Sequence, residues 1–393
     1  MYRINCVFLY NQRKSFKMFE YPNKLNIIFD KLKKNNIKPI IVGGFVRDYF
    51  LKKSSKDIDI ELYNANNFEQ IEDILKEFGD PNIIGKSFGV IKLSLDDLEL
   101  DFSLPRLDNK VSSGHTGFKI QTFKDLDFKT ASKRRDFTIN AIAYDIFDKK
   151  FLDYYNGIDD IKNKKLRFID ETTFKEDPLR VLRAVQFCAR FEFKLDKYLF
   201  STCREMVEQN LLKELPKERI FTEIKKLLLK SKKPSIGLKL LDDLDIKIFT
   251  INDKKLLDVN NFVKIKTTNE NTNLTIMLAL LYKDTNYNLA ELTNSKTLVN
   301  NISKLLHVES YFDRKIETIK YNIAKDLDLE MLKLFLKALH VEPKILNTLQ
   351  FLKPNIHGKD LIKKGMKPSK EFANILQTLY NKQLTALHYK NNS

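Results

Sequence analysis

The chain has 393 residues, 43% of them hydrophobic, and a formal net charge of +17. That length exceeds one ordinary core, so two or more domains are expected. The positive excess points to a polyanionic partner, nucleic acid first, although a lysine-rich background composition gives the same sign. Three widely spaced cysteines, Cys6, Cys188 and Cys203, argue against a disulfide framework and a zinc site, and no stretch reaches the ~20 apolar residues of a membrane helix.

Residues 1–20 read as an N-terminal extension unlike the rest, with Met18 as an alternative start and no signal-peptide pattern. A reducing, cytoplasmic setting is expected. Residues 24–36, "KLNIIFDKLKKNN", have helical apolar spacing. "KPIIVGG" is a short buried strand that ends in a turn, and "FVRDYFLK" is a helix. "KDIDIELYN" alternates as a strand does. Residues 67–78 form an amphipathic helix, and "GVIKLSL" and "LELDFSL" are strands joined by a hairpin at "DD". Residues 21 to about 150 are thus a mixed α/β unit with a small sheet. From about 158 onward the patterns are helical, as in "EDPLRVLRAVQFCARF", "PKERIFTEIKKLLLK" and "LDLEMLKLFLKALH", broken by Asn-rich loops. The expected fold is an α/β head followed by an all-helical remainder.

Asp57 and Asp59 lie two residues apart in "KDIDI". On a strand both carboxylates leave the same face, ~7 Å apart along the chain. Two carboxylates there repel unless a cation sits between them. A hard divalent ion with oxygen ligands fits, and Mg²⁺ is the usual choice beside phosphates. Asp101, in "LELDFSL", is a third acid on a neighbouring strand. A solvated strand edge carries the same D-x-D spacing, so the pair alone does not decide. Gly43 and Gly44 let the backbone turn sharply and approach a ligand. The helix that follows aims its free N–H groups at the turn, and Arg47 lies one turn in, within reach of the same anion. A plain strand–turn–helix corner looks alike.

G-G-x-V-R-D followed by D-x-D resembles the nucleotidyltransferase superfamily, and within it the branch of class II tRNA nucleotidyltransferases (CCA-adding enzymes) and bacterial poly(A) polymerases. Four more segments match that branch in order: "RRDFTINAIAYD" (134–145), "DYYNGIDDIKNKKLR" (153–167), "EDPLRVLRAVQF" (176–187) and "KERIFTEIKKLLL" (217–229). The resemblance covers about residues 38–230. It implies a nucleotidyltransferase head over 21–150, a helical neck with a nucleotide-reading helix over 151–235, and a helical body and tail that bind tRNA over 236–393.

By that resemblance Asp57 and Asp59 hold Mg²⁺ and Asp101 is the third catalytic acid. Gly43, Gly44 and Arg47 cradle the nucleotide, Arg135 contacts it and Asp136 contacts its sugar. An arginine pair on a basic RNA-facing surface reads the same way at 134–135. Asn140 is more easily a buried backbone anchor than a reader. Asp177, Arg180 and Arg183 fall at i, i+3 spacings on one helix and share a face. A carboxylate accepts from the exocyclic amine of cytosine or adenine, and an arginine donates to the ring acceptors beside it. Uracil and guanine present a carbonyl there and are rejected. The resemblance gives this role to Asp177 and Arg180, with Arg183 in support; Asp177 as helix cap is the competing reading, and both are compatible. Gln186 stands where family members often carry an arginine. Gly157 marks the head–neck joint, and Glu218 and Glu223 are placed to fix the arginines.

The five histidines are scattered, and "LTIMLALLYKDTN" lacks the H-D pair of a phosphohydrolase, so that activity is not expected. Lys359, Lys363, Lys364 and Lys367, in a segment that resembles the family's tail, are expected to grip tRNA backbone; a solvated lysine face is the alternative. The expected reaction adds C, C and A to tRNA 3′ ends from CTP and ATP, with no membrane and no obligate protein partner. Poly(A) addition, or partial CC or A addition, shares nearly every residue named. The loop from Ser103 to Lys133 is one place where the distinction would reside. A catalytically inactive RNA-binding protein is the alternative from another class.

Overall fold

Alternating apolar residues in "KPIIV" and "DIDIELY" form the adjacent strands β1 (Lys38–Val42) and β2 (Asp57–Tyr63) in the middle of a seven-stranded sheet. The computed structural model describes residues 19–84, 89–110, 118–122, 126–285, 288–313, 318–341, 346–347, 349–369 and 371–392. The described residues within 1–109, 119–135 and 139–158 form one unit, and those within 110–118, 136–138 and 159–393 form another.

In the first unit, β3 (Asn82–Ile84), β4 (Val90–Leu95), β5 (Leu98–Ser103), β8 (Ala143–Asp145) and β9 (Lys150–Leu152) complete the sheet, in the order β3-β4-β5-β2-β1-β8-β9. Strands β6 (Arg106–Lys110) and β7 (Phe118–Thr122) make a separate two-stranded ribbon. β4 and β5 are the expected hairpin, closed by Asp96 in the left-handed region (φ 55°). β2 pairs antiparallel with β1 and parallel with β5. Helices α1 (Leu25–Lys34), α2 (Gly44–Phe50), α3 (Phe68–Leu75) and α4 (Phe128–Ser132) belong to the same unit. Ile40, Val42, Tyr63, Phe128 and Ala143 form one of its buried clusters.

The expected extension over residues 1–20 needs correcting at its C-terminal end. Phe19 is buried, with its ring against Phe45, Tyr49, Tyr144 and Phe151. Aromatic burial of that size ties residue 19 into the head. Residues 1–18 lie outside the described residues, as do parts of the Ser103–Lys133 loop.

The division between the units falls next within α5 (Gly157–Lys162). The left-handed turn ahead of it is made by Asn156 (φ 60°), not by Gly157, which donates its N–H to Asp153. Asparagine tolerates that conformation because its short polar side chain bonds locally.

The second unit is helical apart from the short parallel pair β10 (Lys165–Leu166) and β11 (Lys194–Leu195). Its helices are α6 (Glu171–Lys175), α7 (Leu179–Phe191), α8 (Lys197–Glu208), α9 (Lys217–Lys230), α10 (Pro234–Asp243), α11 (Asp253–Ile265), α12 (Glu270–Tyr282), α13 (Lys296–Phe312), α14 (Tyr321–Lys325) and α15 (Leu329–Ala338). Two more span Gly358–Lys363 and Phe372–Asn392. α7 packs on α9 and α10. The approach is close at Gly237, where a Cβ would sit 2.7 Å from Leu227 Cδ1 and 2.9 Å from Ala189 Cβ. α12 carries "LTIMLALLY" and is buried on every side, as an all-apolar helix must be.

Candidate functional site: an acidic strand and a charged helix

The acidic face is built on β2. Asp57 and Asp59 are exposed while Ile58 and Ile60 are buried, so the strand alternation puts both carboxylates on one side. β5 runs parallel to β2 with Asp101 directly opposite Asp59 in register, which brings the third acid alongside. Asp101 is half-exposed, and Lys92 of β4 lies 3.3 Å from its Oδ2.

Gly43 closes the turn after β1 at φ 70°, a conformation that favours glycine. A Cβ there would lie 3.2 Å from Asp59 Oδ2 and 3.0 Å from Arg135 Nη1. The turn therefore approaches Asp59 closely only because residue 43 has no side chain. Arg47 is buried, which corrects the expectation that it extends toward an external anion. Its Nε donates to Asp48 at 2.8 Å and its Nη1 to Asn140 at 2.8 Å, so it props the turn from beneath. Asn140 is buried, as the sequence suggests, but the partner of its side-chain oxygen is the Arg47 guanidinium.

Arg135 is held by the fully buried Glu61, 2.9 Å from Nη2, and Arg134 shares the same carboxylate oxygen at 2.7 Å. Tyr63 donates its hydroxyl to the other oxygen. Burial pushes Glu61 up, but the two guanidiniums and the hydroxyl outweigh it and hold its carboxyl below the ordinary range. Asp59 moves the other way. Loss of solvation raises its carboxyl; Arg135 opposes this, while Asp101, Glu61 and Asp57 add to it.

The donor set is entirely oxygen, and a raised carboxyl among like charges is what an incoming cation relieves. Among the described residues, no group of three or more His, Cys, Asp or Glu is placed to hold a metal ion, so Asp101 does not complete a three-acid site with Asp57 and Asp59. Two strand carboxylates with open positions fit Mg²⁺-type binding, in which phosphate and water oxygens fill the remaining sites.

In the second unit the charged residues gather on α7 and its neighbours. Asp136 is buried and takes two hydrogen bonds from Arg183, 2.8 Å from Nε and 2.6 Å from Nη2; its other oxygen accepts from the Phe137 N–H. The Asp136 charge raises the Arg183 guanidinium against the opposing effect of burial, with Glu223 and Asp177 adding to the field. The same guanidinium lies 5.3 Å from the Phe187 ring centroid.

Asp177 accepts from the Leu179 N–H at 3.1 Å, but Pro178 rather than Asp177 is the N-cap of α7 and the helix begins at Leu179, so the expected cap is displaced by one residue. Its second oxygen lies 3.4 Å from Arg219 of α9. Arg180 donates to the Thr173 carbonyl at 2.8 Å. Glu223 is buried and salt-bridged to Lys226, with its other oxygen unpartnered; the buried Gln186 amide nitrogen is unpartnered as well.

Glu218 departs from expectation. It is exposed and accepts from Asn294 rather than meeting an arginine of α7. Five residues of helix place it ~140° around α9 from Glu223. Sequence reasoning singles out neither Glu61 nor Arg219. The signals were a third alternating acid after D-x-D and a cation one turn before Glu223 on the same helix face. Lys359, Lys363, Lys364 and Lys367 are all exposed, on and just beyond helix Gly358–Lys363, beside exposed Ile362 and Met366.

Residues 40–167 match the "Poly A polymerase head domain" family, and residues 192–247 match the "Probable RNA and SrmB- binding site of polymerase A" family. Over those segments the chain is similar to poly(A) polymerases and CCA-adding enzymes. Similar proteins include poly(A) polymerase I of Haemophilus influenzae, 34% identical over 52% of this chain and 46% of that protein. The multifunctional CCA protein of Psychromonas ingrahamii is 37% identical over 52% of this chain and 48% of its own length. The chain thus spans about half the length of the curated relatives it matches. A CCA-adding enzyme in an apo form shares the fold with a TM-score of 0.69 at 23% identity, over 93% of this chain and 92% of that one. The α/β head followed by helices is therefore a fold that this chain shares with that structure. No helix among the described residues is long and apolar enough to cross a membrane.

Proposed function

We propose that the chain is a template-independent RNA nucleotidyltransferase that adds C, C and A to tRNA 3′ ends from CTP and ATP. The observation that carries this reading is the register of Asp57 and Asp59 on one face of β2, with Asp101 opposite Asp59 and the Gly43 turn against it. Asp57 and Asp59 would hold Mg²⁺, which supplies neutralisation of phosphate charge and acidifies the attacking hydroxyl. The terminal 3′ oxygen bonds the α-phosphorus of the nucleotide. The bond to the bridging oxygen breaks, pyrophosphate leaves with the electron pair, and the hydroxyl proton passes to water. Gly43 keeps the turn open beside Asp59, while Arg47 and Asn140 hold its shape from beneath.

Base choice falls to Asp177 and Arg180 at the start of α7. Asp177 keeps lone pairs for an exocyclic amine, since its Arg219 contact is long. Arg183, fixed by Asp136, supports the Asp177 and Arg180 pair from the same face of α7. The exposed lysines of 359–367 suit sequence-independent contact with RNA backbone, and duplex RNA is read mainly by shape.

Poly(A) or partial CC or A addition is the neighbouring reading, favoured by the match to the Haemophilus influenzae enzyme. One assay separates them. tRNA lacking CCA, tRNA ending in CC and an oligo(A) primer are each offered CTP, ATP, GTP or UTP, and the 3′ ends are sequenced. CCA completion on tRNA alone supports the proposal, and an A tail on oligo(A) supports the neighbour. Incorporation that survives in Asp59→Ala, or UTP use near the CTP rate, overturns it.

A further inference from the structure

β2 carries a third acid on the face that presents Asp57 and Asp59. Residues 57, 59 and 61 alternate, so all three side chains leave the strand on one side. The outer two reach solvent, whereas Glu61 is fully buried. It is clamped by three donors: Arg134 and Arg135 on one oxygen, and the Tyr63 hydroxyl on the other. The other arm of Arg135, Nη1, donates to the Asn140 carbonyl at 3.4 Å, and it and Asp59 Oδ2 lie 3.0 and 3.2 Å from one shared point beside Gly43. Arg135 is thus a close neighbour of Asp59, yet among the described residues its ion pair is with Glu61. A guanidinium and a carboxylate so placed would pair unless something held the cation back.

We propose that Glu61 is a positioning residue that draws Arg135 away from Asp59 and keeps the Asp57–Asp59 pair open to a divalent cation. The inference rests on the metal-dependent reading above and adds how this chain keeps its own arginine from occupying the site. An arginine paired to Asp59 is a built-in competitor that each entering cation must displace. Glu61 prevents this through geometry. Its two oxygens are fixed by three donors, and the rigid fork of Arg135 gives one arm to Glu61 while the other stays beside the turn. With Glu61 neutralised, the Arg135 guanidinium stays beside Asp59 without the charge that draws it away.

The test is Mn²⁺ binding to the intact chain, read as loss of the free-ion paramagnetic resonance signal, with no turnover involved. Asp59→Asn, which removes a proposed ligand, sets the floor. Glu61→Gln is expected to weaken Mn²⁺ binding about tenfold, the effect of one close opposite charge. Glu61→Asp keeps the charge and is expected to retain most of the affinity. Adding Arg135→Gln to Glu61→Gln removes the competitor and should restore most of the loss, which a merely structural role for Glu61 would not do. Unchanged affinity in Glu61→Gln, or no recovery in the double variant, overturns the proposal. Should Glu61→Gln alone fail to fold by circular dichroism, the double variant, which removes both buried charges, is read against Arg135→Gln: with the competitor gone in both, affinities within about twofold support the proposal, and a tenfold loss in the double variant overturns it. A wild-type chain that binds no Mn²⁺ overturns the metal reading and this inference together. Wild-type binding that ignores Glu61 overturns this inference only.

Discussion

Arg183 closes its guanidinium on the buried carboxylate of Asp136, 2.6 Å away, from a position 47 residues later in the chain. The pair fastens the segment that follows Arg135 to the middle of α7, next to the Phe137 ring, which packs edge-on against Phe187. Asp136→Asn keeps the shape and removes the charge, leaving a largely buried cation without its counter-ion. The expected cost is about 2 kcal/mol of unfolding free energy, at the low side for a buried pair because Arg183 retains some solvent contact. Urea denaturation of the two proteins measures it. Equal midpoints would mean that Arg183 finds another acid, and Glu223 is the nearest candidate.

Arg180→Ala should blur nucleotide choice more than it weakens tRNA binding. The side chain sits one turn from Asp177 at the start of α7 and donates to the Thr173 backbone carbonyl, so its loss removes a donor from that face. A site built on hydrogen bonds discriminates strongly because a wrong partner leaves its polar groups unpaired. Competition between CTP and UTP in incorporation, alongside tRNA affinity by filter binding, gives the two readouts. An unchanged C and A preference would remove Arg180 from the base-reading role.

His307 on α13 gives the helical unit a pH dependence. Burial, with Lys320 nearby, lowers its proton affinity below that of an ordinary histidine, and its Nε2 accepts the Lys320 N–H at 3.3 Å. The unfolded chain therefore binds this proton more tightly than the folded one. Above the ordinary histidine value of ~6.5 both states are neutral and the contribution is full. As pH falls through that value toward the lower folded one, stability is lost. Urea midpoints at pH 7.5 and 5.5 should fall further for the wild type than for His307→Gln, whose amide can still accept from Lys320. The same decline in both would assign the pH effect to carboxylates.

Much of the site is legible before any folding. D-x-D on a strand sends both acids to one face because the side-chain period is two, and β2 obeys it. Gly43 takes the positive φ that its place before a helix suggests. Asp177 bonds the first N–H of α7, one residue ahead of the Pro178 cap. Arg47 was harder to read. Its spacing allows an outward reach, and only the depth of α2 against Asn140 turns it inward. Glu218 and Glu223 look equivalent in sequence, and the rotation of α9 against α7 separates them.

The amino-acid sequence by itself determined the parts that repeat with a period: the acidic strand face, the helical second unit, and the order of segments that marks the family. Those features depend on neighbours a few residues apart, which local backbone geometry places. Tertiary structure alone decided which charge meets which: Glu61 with Arg134 and Arg135, Lys92 with Asp101, and Arg183 with Asp136. A lone arginine or acid can pair with any opposite charge that folding brings within about 4 Å. Strand register and helix packing, which join residues far apart in the chain, choose among them.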